Sequence, residues 1–158
     1  MVFGNEGGQK RRKRIKEGIY IENIIITEGI SANDFCRLRE AVNFQHLTTE
    51  QAEKILKNTF YTASAVCSGK YICLTRLLFD YGTDAYITDV IVDPKFQGFG
   101  VGKMLIENVL EFIKSNSQKG TSVACSLYAN KGKENFYGKF GFEKLPNEKY
   151  GYGMIIEL

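Results

Sequence analysis

The segment Val90-Ile91-Val92-Asp93-Pro94-Lys95-Phe96-Gln97-Gly98-Phe99-Gly100-Val101-Gly102-Lys103 carries the densest chemical information in the chain. An apolar run stops at a proline, a glycine-rich loop follows, and a helical pattern begins. A helix N-terminus leaves four backbone N–H groups without partners and carries a partial positive charge. Glycines remove the side chains that would hold a ligand off that backbone, so a phosphate can be cradled there. The guest this loop favours is an anion. Two familiar nucleotide fingerprints do not fit it. G-x-G-x-x-G would need glycine where Lys103 stands, and G-x-x-x-x-G-K-[ST] fails because Gln97 lies five residues before Gly102 and Met104 follows Lys103. Taken alone, the loop also reads as a plain glycine turn into a helix.

Other reactive side chains are few. Asp89 lies in the apolar run over residues 87–92, where a carboxylate is costly unless it is paired or functional. Half-buried, such a group would have its pKa raised. His46 is the only histidine, and its side chain alone titrates near neutrality unperturbed. It falls in a polar stretch between two helical patterns, where a lone histidine is usually incidental. Arg39, Tyr61 and Arg76 could line a substrate pocket, but the sequence does not orient them. Cys36, Cys67, Cys73 and Cys125 are scattered among apolar neighbours with no CxxC pair, so they read as small buried hydrophobes and no metal site is expected.

Positioning such groups requires a framework, and the hydrophobic periodicity supplies one. A first strand is predicted over residues 19–27. Ser31 reads as a helix N-cap with Asp34 three residues on, ahead of Phe35, Leu38, Arg39 and Val42 at helical spacing. A second short helix follows Thr48 or Thr49. Residues 61–66 and 71–79 are β-prone runs joined by Ser68-Gly69-Lys70, a hairpin signal. Residues 85–92 form a strongly apolar strand ending at Asp93-Pro94. A long helix is predicted over 100–115, with Lys103, Glu107, Glu111 and Lys114 on one face and Val101, Leu105, Val109 and Phe112 on another. A buried strand over 121–127, a short helix over 134–140 closed by Gly141, and strands over 142–145 and 154–156 complete a mixed α/β order without internal repeat.

Length and charge set outer bounds. With 158 residues, 44% hydrophobic and 25% charged, the chain is of globular type and long enough to bury a core without staples. No apolar run approaches the roughly 18–20 residues of a membrane helix, and the N-terminus lacks a secretory pattern, so the expected location is cytoplasmic. The net charge of +3 is misleading: Lys10, Arg11, Arg12, Lys13, Arg14 and Lys16 lie in one run, and the remaining 15 basic residues face 18 acidic ones. Residues 1–18 therefore read as a basic, disordered arm ahead of one domain over 19–158. Any nucleic-acid contact would belong to that arm, and the domain itself offers no evident cationic face.

The glycine segment resembles the acetyl-coenzyme A loop of the GNAT superfamily, Q/R-x-x-G-x-G/A, through Gln97, Gly100 and Gly102, with Val92-Asp93-Pro94 as a typical lead-in. Downstream, Asn130 and then Phe136-Tyr137-Gly138-Lys139-Phe140-Gly141-Phe142 resemble the family's N-x(6)-Y pattern leading into F/L-Y-x-x-x-G-F. The resemblance spans about residues 20–158 and is strongest over 85–142. It implies an α+β fold with a mixed, mostly antiparallel sheet of six to seven strands flanked by about four helices. It implies acetyl-coenzyme A as cosubstrate and no metal. Backbone groups of Ile91 and Val92 would meet the pantetheine, and the amides of Gln97, Gly98, Phe99, Gly100, Val101, Gly102 and Lys103 the pyrophosphate. Asn130 would orient the pantetheine or a water. Tyr137 holds the family's position for the acid that protonates the leaving thiolate, the alternative being that it packs with Phe136 and Phe140. Asp89 becomes the candidate base, although the amine could lose its proton to water instead.

The implied reaction is direct transfer of acetyl to the primary amine of a small molecule, without a covalent enzyme intermediate. Protein or peptide acetylation, or a non-catalytic coenzyme A-binding module, are the alternatives. Within the superfamily the chain looks like small bacterial and plant-type members, some of which act on arylalkylamines or amino sugars. Relatives often form homodimers.

Overall fold

The computed structural model describes residues 14–16, 19–21 and 23–158 of the chain. Two short strands, β1 (Arg14–Lys16) and β2 (Ile19–Ile21), pair with each other apart from the main sheet. The strand expected over 19–27 is thus divided: Asn23, at φ 53°, interrupts it before β3 (Ile25–Glu28) begins. Asparagine is among the few residues that adopt this left-handed conformation at modest cost. Most of the basic arm lies outside the described residues, and β1 falls within the span read as disordered.

Helices α1 (Ala32–Ala41) and α2 (Thr49–Lys57) follow, each started by the expected cap. The Ser31 hydroxyl accepts from the Asp34 amide, and Thr48 forms a full capping box with Gln51. Strands β4 (Tyr61–Cys67) and β5 (Lys70–Phe79) make the hairpin. Its two-residue turn places Ser68 at φ 49° and Gly69 at φ 74°, the doubly left-handed geometry that matches strand twist. Strand β6 (Asp84–Val92) leads through a single 3₁₀ turn at Pro94–Phe96 into α3 (Val101–Asn116). Strand β7 (Ala124–Leu127) and helix α4 (Glu134–Gly138) end the regular structure.

The main sheet runs β3-β4-β5-β6-β7, antiparallel except for the parallel β6–β7 pair. Among the described residues five strands, not six to seven, make it up. The expected strands over 142–145 and 154–156 do not form, because the ladder ends at β7 and these segments find no backbone partner. Ile156 is 78% exposed, and the nearby chain turns where Asn147 Oδ1 accepts from the amides of Lys149 and Tyr150. β-Propensity does not make a strand where nothing completes its hydrogen bonds.

Helices α1 and α2 cover one face of the sheet and α3 the other. Phe35, Leu38 and Ala52 pack with Leu74 and Ile91 in the first core. In the second, Leu105, Ile106 and Val109 of α3 pack with Leu77, Ala85 and Ile87.

One irregularity inverts the second half of β6. Thr88 pairs with Arg76 and Ile91 with Leu74, so Asp89 and Val90 together oppose Thr75. This is a β-bulge, and an extra residue exchanges the faces of everything beyond it. Ala85 and Ile87 accordingly face α3, whereas Ile91 faces α1 and α2, and Val90 and Val92 take the α3 side.

Leu105 has no solvent exposure and joins α3 to the sheet. Leu105→Ala should lower the unfolding free energy by about 2–5 kcal/mol, read as a fall in the denaturant midpoint at unchanged m value.

Candidate active site

The parallel β6–β7 pairing runs only from Asp84–Ala124 to Ile87–Leu127. Beyond Ile87 the strands part, and a cavity of about 900 Å³ opens there. Its walls are the end of β6, the glycine loop with the first turn of α3, and the segment from Leu127 through α4.

Asp93 anchors the loop. Its side chain is buried and accepts from the Lys95 amide, while its own amide donates to the Ile72 carbonyl. Gln97 Nε2 donates to the Val92 carbonyl at 3.1 Å and ties the loop back to the strand. Gly98 and Gly100 take φ of 82° and 83°, so glycine is required there by backbone conformation. Gly102 differs: a Cβ at this position would meet Val92 Cγ2 at 3.4 Å and Phe136 Cζ at 3.5 Å, ordinary contact distances, so neither the backbone nor the packing demands glycine there. Gly100 is the N-cap of α3 and offers no side-chain cap, which leaves the first amides of the helix to an external acceptor. Lys103, Lys133 and Lys139 also line the cavity. A diphosphate fits this donor set of unpaired amides, a helix N-terminus and three ammonium groups.

The sequence-predicted residues are mostly brought together. Asp89, Val92, Gln97, Gly98, Gly100, Val101, Gly102, Lys103, Asn130 and Tyr137 all line the cavity. Phe99 does not; it packs against the core under α3. The Ile91 side chain points to the opposite face of the sheet, because the bulge has turned it there. Tyr137 stands half-buried with its ring edge-on to Phe136 and Phe142, at centroid distances of 5.0 and 6.1 Å. Burial raises its phenol pKa above the ordinary value, so the group holds its proton throughout the neutral range.

Asp89 is placed differently from the free carboxylate a base requires. Arg39 Nη1 donates to Oδ1 and Arg76 Nε to Oδ2, both at 2.6 Å, with the carboxylate only 7% exposed. These are charge-assisted bonds, and they occupy both oxygens. Arg76 also donates to Thr59 Oγ1, and both guanidiniums lie near the Phe35 ring. Asp89 itself sits at φ 49°, which for a side-chain-bearing residue costs about 1 kcal/mol. In the sequence Arg39 and Arg76 are only unoriented pocket candidates; their spacing in the chain carries no sign of the shared partner. His46 is exposed and pairs with Glu40, outside the cavity lining. Tyr61 is also absent from the lining and donates to Asn108 Oδ1 on α3.

The cavity is also lined by Val42, Phe44, Tyr86 and Tyr128, which sequence reasoning did not single out. Tyr86 and Tyr128 meet edge-on at 5.8 Å across the parting strands. The two carboxylates in the lining are both paired, Asp89 with the arginines and Glu107 with Lys103 at 3.5 Å.

Residues 32–142 match the sequence profile of the acetyltransferase (GNAT) family. The chain is 26% identical over 124 residues to the uncharacterized N-acetyltransferase ycf52 of Pyropia yezoensis, covering 76% of this chain and 69% of that protein. It is 29% identical over 139 residues to the histone acetyltransferase TAP1 of Glycine max, covering 80% of this chain and 58% of TAP1. The crystal structure of the probable acetyltransferase SA2161 of Staphylococcus aureus superposes with a TM-score of 0.75 at 31% identity, over 86% of this chain and all (100%) of that one.

The two kinds of glycine in the loop should separate on substitution. Gly100→Ala forces a side chain into a left-handed position and should cost about 1 kcal/mol of stability. Gly102→Ala meets ordinary van der Waals distances and should melt within a few degrees of the parent. Thermal unfolding of both variants, with coenzyme A titrated calorimetrically into each, checks this.

Proposed function

The chain belongs to the GNAT acetyltransferase family, and from that premise we propose that it moves the acetyl group of acetyl-coenzyme A directly to the primary amine of a small molecule. The observation that carries this reading is one continuous cavity joining the open N-terminus of α3, the half-buried Tyr137 and an aromatic wall.

Bound acetyl-coenzyme A supplies an acyl group already activated as a thioester. The protein's share is binding, orientation and one proton. The α3 amides and the lining lysines hold the anionic part of the cosubstrate, and Asn130 lies where it can orient the adjoining arm. Tyr137 holds the proton that the departing sulfur takes up. Its dry surroundings favour the neutral phenol beforehand and strengthen the hydrogen bond to a developing thiolate. The amine's own proton leaves through water at the cavity mouth.

A small acceptor with an apolar body suits the rest of the lining. Phe44, Tyr86 and Tyr128 offer ring surface, and the buried lining carboxylate of Asp89 is already held by two arginines, so the wall offers little fixed negative charge to a multiply charged basic peptide. Protein acetylation is the second reading, favoured by the similarity to the histone acetyltransferase TAP1. The cytoplasm is the location we favour, since the thiols of Cys36, Cys73 and Cys125 suit a reducing compartment. Among the described residues no helix is long and apolar enough to cross a membrane.

A thiol-release assay with acetyl-coenzyme A against arylalkylamines, polyamines, amino sugars, amino acids and lysine peptides should give turnover with a small amine. Turnover confined to peptides would establish the second reading. Tyr137→Phe should lower kcat by about a hundredfold while coenzyme A affinity stays near that of the parent. Because burial raises the phenol pKa above about 10, the parent's rate should fall only in strongly alkaline buffer, and that fall should vanish in the variant. An unchanged kcat would remove Tyr137 from the chemistry.

A further inference from the structure

Building on the acetyl-transfer reading of this cavity, we propose that Asp89 is a positioning residue, clamped by Arg39 and Arg76 to hold open the bulge in β6, and that it accepts no proton from the substrate. A base must offer a free lone pair to the incoming N–H. Each Asp89 oxygen instead receives a guanidinium N–H at 2.6 Å, and the side chain has little solvent contact through which to exchange partners. An amine could reach it only by displacing an arginine.

The clamp's position gives it a task. Asp89 is the bulge residue with positive φ, a conformation that persists only where surrounding contacts hold it. Those contacts come from two elements: Arg39 from the last turn of α1, and Arg76 from β5, the strand whose register the bulge breaks. The Thr88 carbonyl, next to the bulge, accepts from the Thr75 hydroxyl. One carboxylate thus ties the helical layer, the neighbouring strand and the distorted strand at one point. The bulge begins just past Ile87, where β6 leaves β7, and it turns Val90 and Val92 towards the cavity. Without it, regular alternation would place Ile91 on that face. The clamp therefore fixes the geometry of the cleft floor, and Arg39 carries any movement of α1 to it.

Arg39→Gln, Arg76→Gln, Asp89→Asn and the Arg39→Gln/Asp89→Asn pair, each in the full chain, separate the two roles. A positioning role predicts that Arg39→Gln and Arg76→Gln each lower kcat by about tenfold or more, as misplacement of reacting groups does. The pair should be little worse than its poorer member, since both break one unit. Asp89→Asn, which still tolerates the left-handed backbone, should keep the shape of the parent's pH profile of kcat/KM. A base role predicts the opposite pattern. Freeing one oxygen through Arg39→Gln would then preserve or raise the rate, and Asp89→Asn would abolish the acidic limb. Either of those results overturns the proposal.

Amide hydrogen exchange needs no acceptor and judges the clamp separately. Residues 88–92 should exchange faster in Arg39→Gln than in the parent while α3 is unchanged, and equal protection would sink the idea. A parent chain that binds no coenzyme A would instead defeat the acetyl-transfer reading, with the exchange result still deciding whether the clamp holds the bulge. Should Arg76→Gln fail to fold, Arg39→Gln and Asp89→Asn carry the same comparison.

Discussion

The bulge at Asp89–Val90 is the constraint from which the arrangement of the cavity descends. A strand with regular alternation would keep residues 85, 87, 89 and 91 on one face. Here two residues oppose Thr75, and the second half of β6 is inverted with respect to the first. Ile87 and Ile91 consequently serve different cores on opposite sides of the sheet. Each lies 1% exposed, so neither could move to the other face without leaving a large void and burying unmatched polar backbone. The bulge is therefore held from both sides by packing, and the ion pairs at Asp89 supply the local polar compensation.

That inversion is what makes an open cleft compatible with a well-packed sheet. Parallel strands usually continue side by side, buried on both faces. β6 and β7 separate after four paired residues, and the exposed ends must be satisfied some other way. The Val92 carbonyl is taken by Gln97, while the Asp93 amide continues the ladder to β5 at Ile72. The loop thus closes the strand end and presents the helix N-terminus in the same stroke. The resulting cavity is lined both by the glycine loop and lysines and by aromatic rings. A ligand with an anionic part and a neutral, reactive part complements such a mixed lining.

The three glycines within five residues of this loop are not equivalent. At 98 and 100 the backbone itself demands it, whereas at 102 a Cβ would make only ordinary contact with Val92 and Phe136. The sequence pattern alone assigns all three to ligand approach. Phe99, which stands between them, turns inward and contributes to the core under α3 instead of to the cavity. The loop is consequently pinned by its own hydrophobic side chain, which pre-organises the amides on either side.

Much of this was legible in the chain. Local interactions announce themselves locally: Ser31 and Thr48 as caps, Ser68-Gly69 as a tight hairpin turn, the apolar stripe of α3, and the proline and glycines between β6 and α3. Each depends on residues only a few positions apart, so spacing suffices to find it. The glycine loop and Tyr137 stood out through a resemblance carried by short-range patterns of the same kind, and both line the one cavity. Tertiary structure alone decided the rest. Arg39 and Asp89 are fifty positions apart and Arg76 lies between them, so their union depends on how α1, β5 and β6 are stacked. A carboxylate in an apolar run looks equally like a base or an ion-pair partner until the donors that face it are known. The strands expected near the C-terminus failed for a related reason, since alternation shows which residues could form a strand but not whether a neighbour completes it. Which residues can form an element is written in the sequence; which charges meet, and which strand ends go unpaired, is settled by long-range packing.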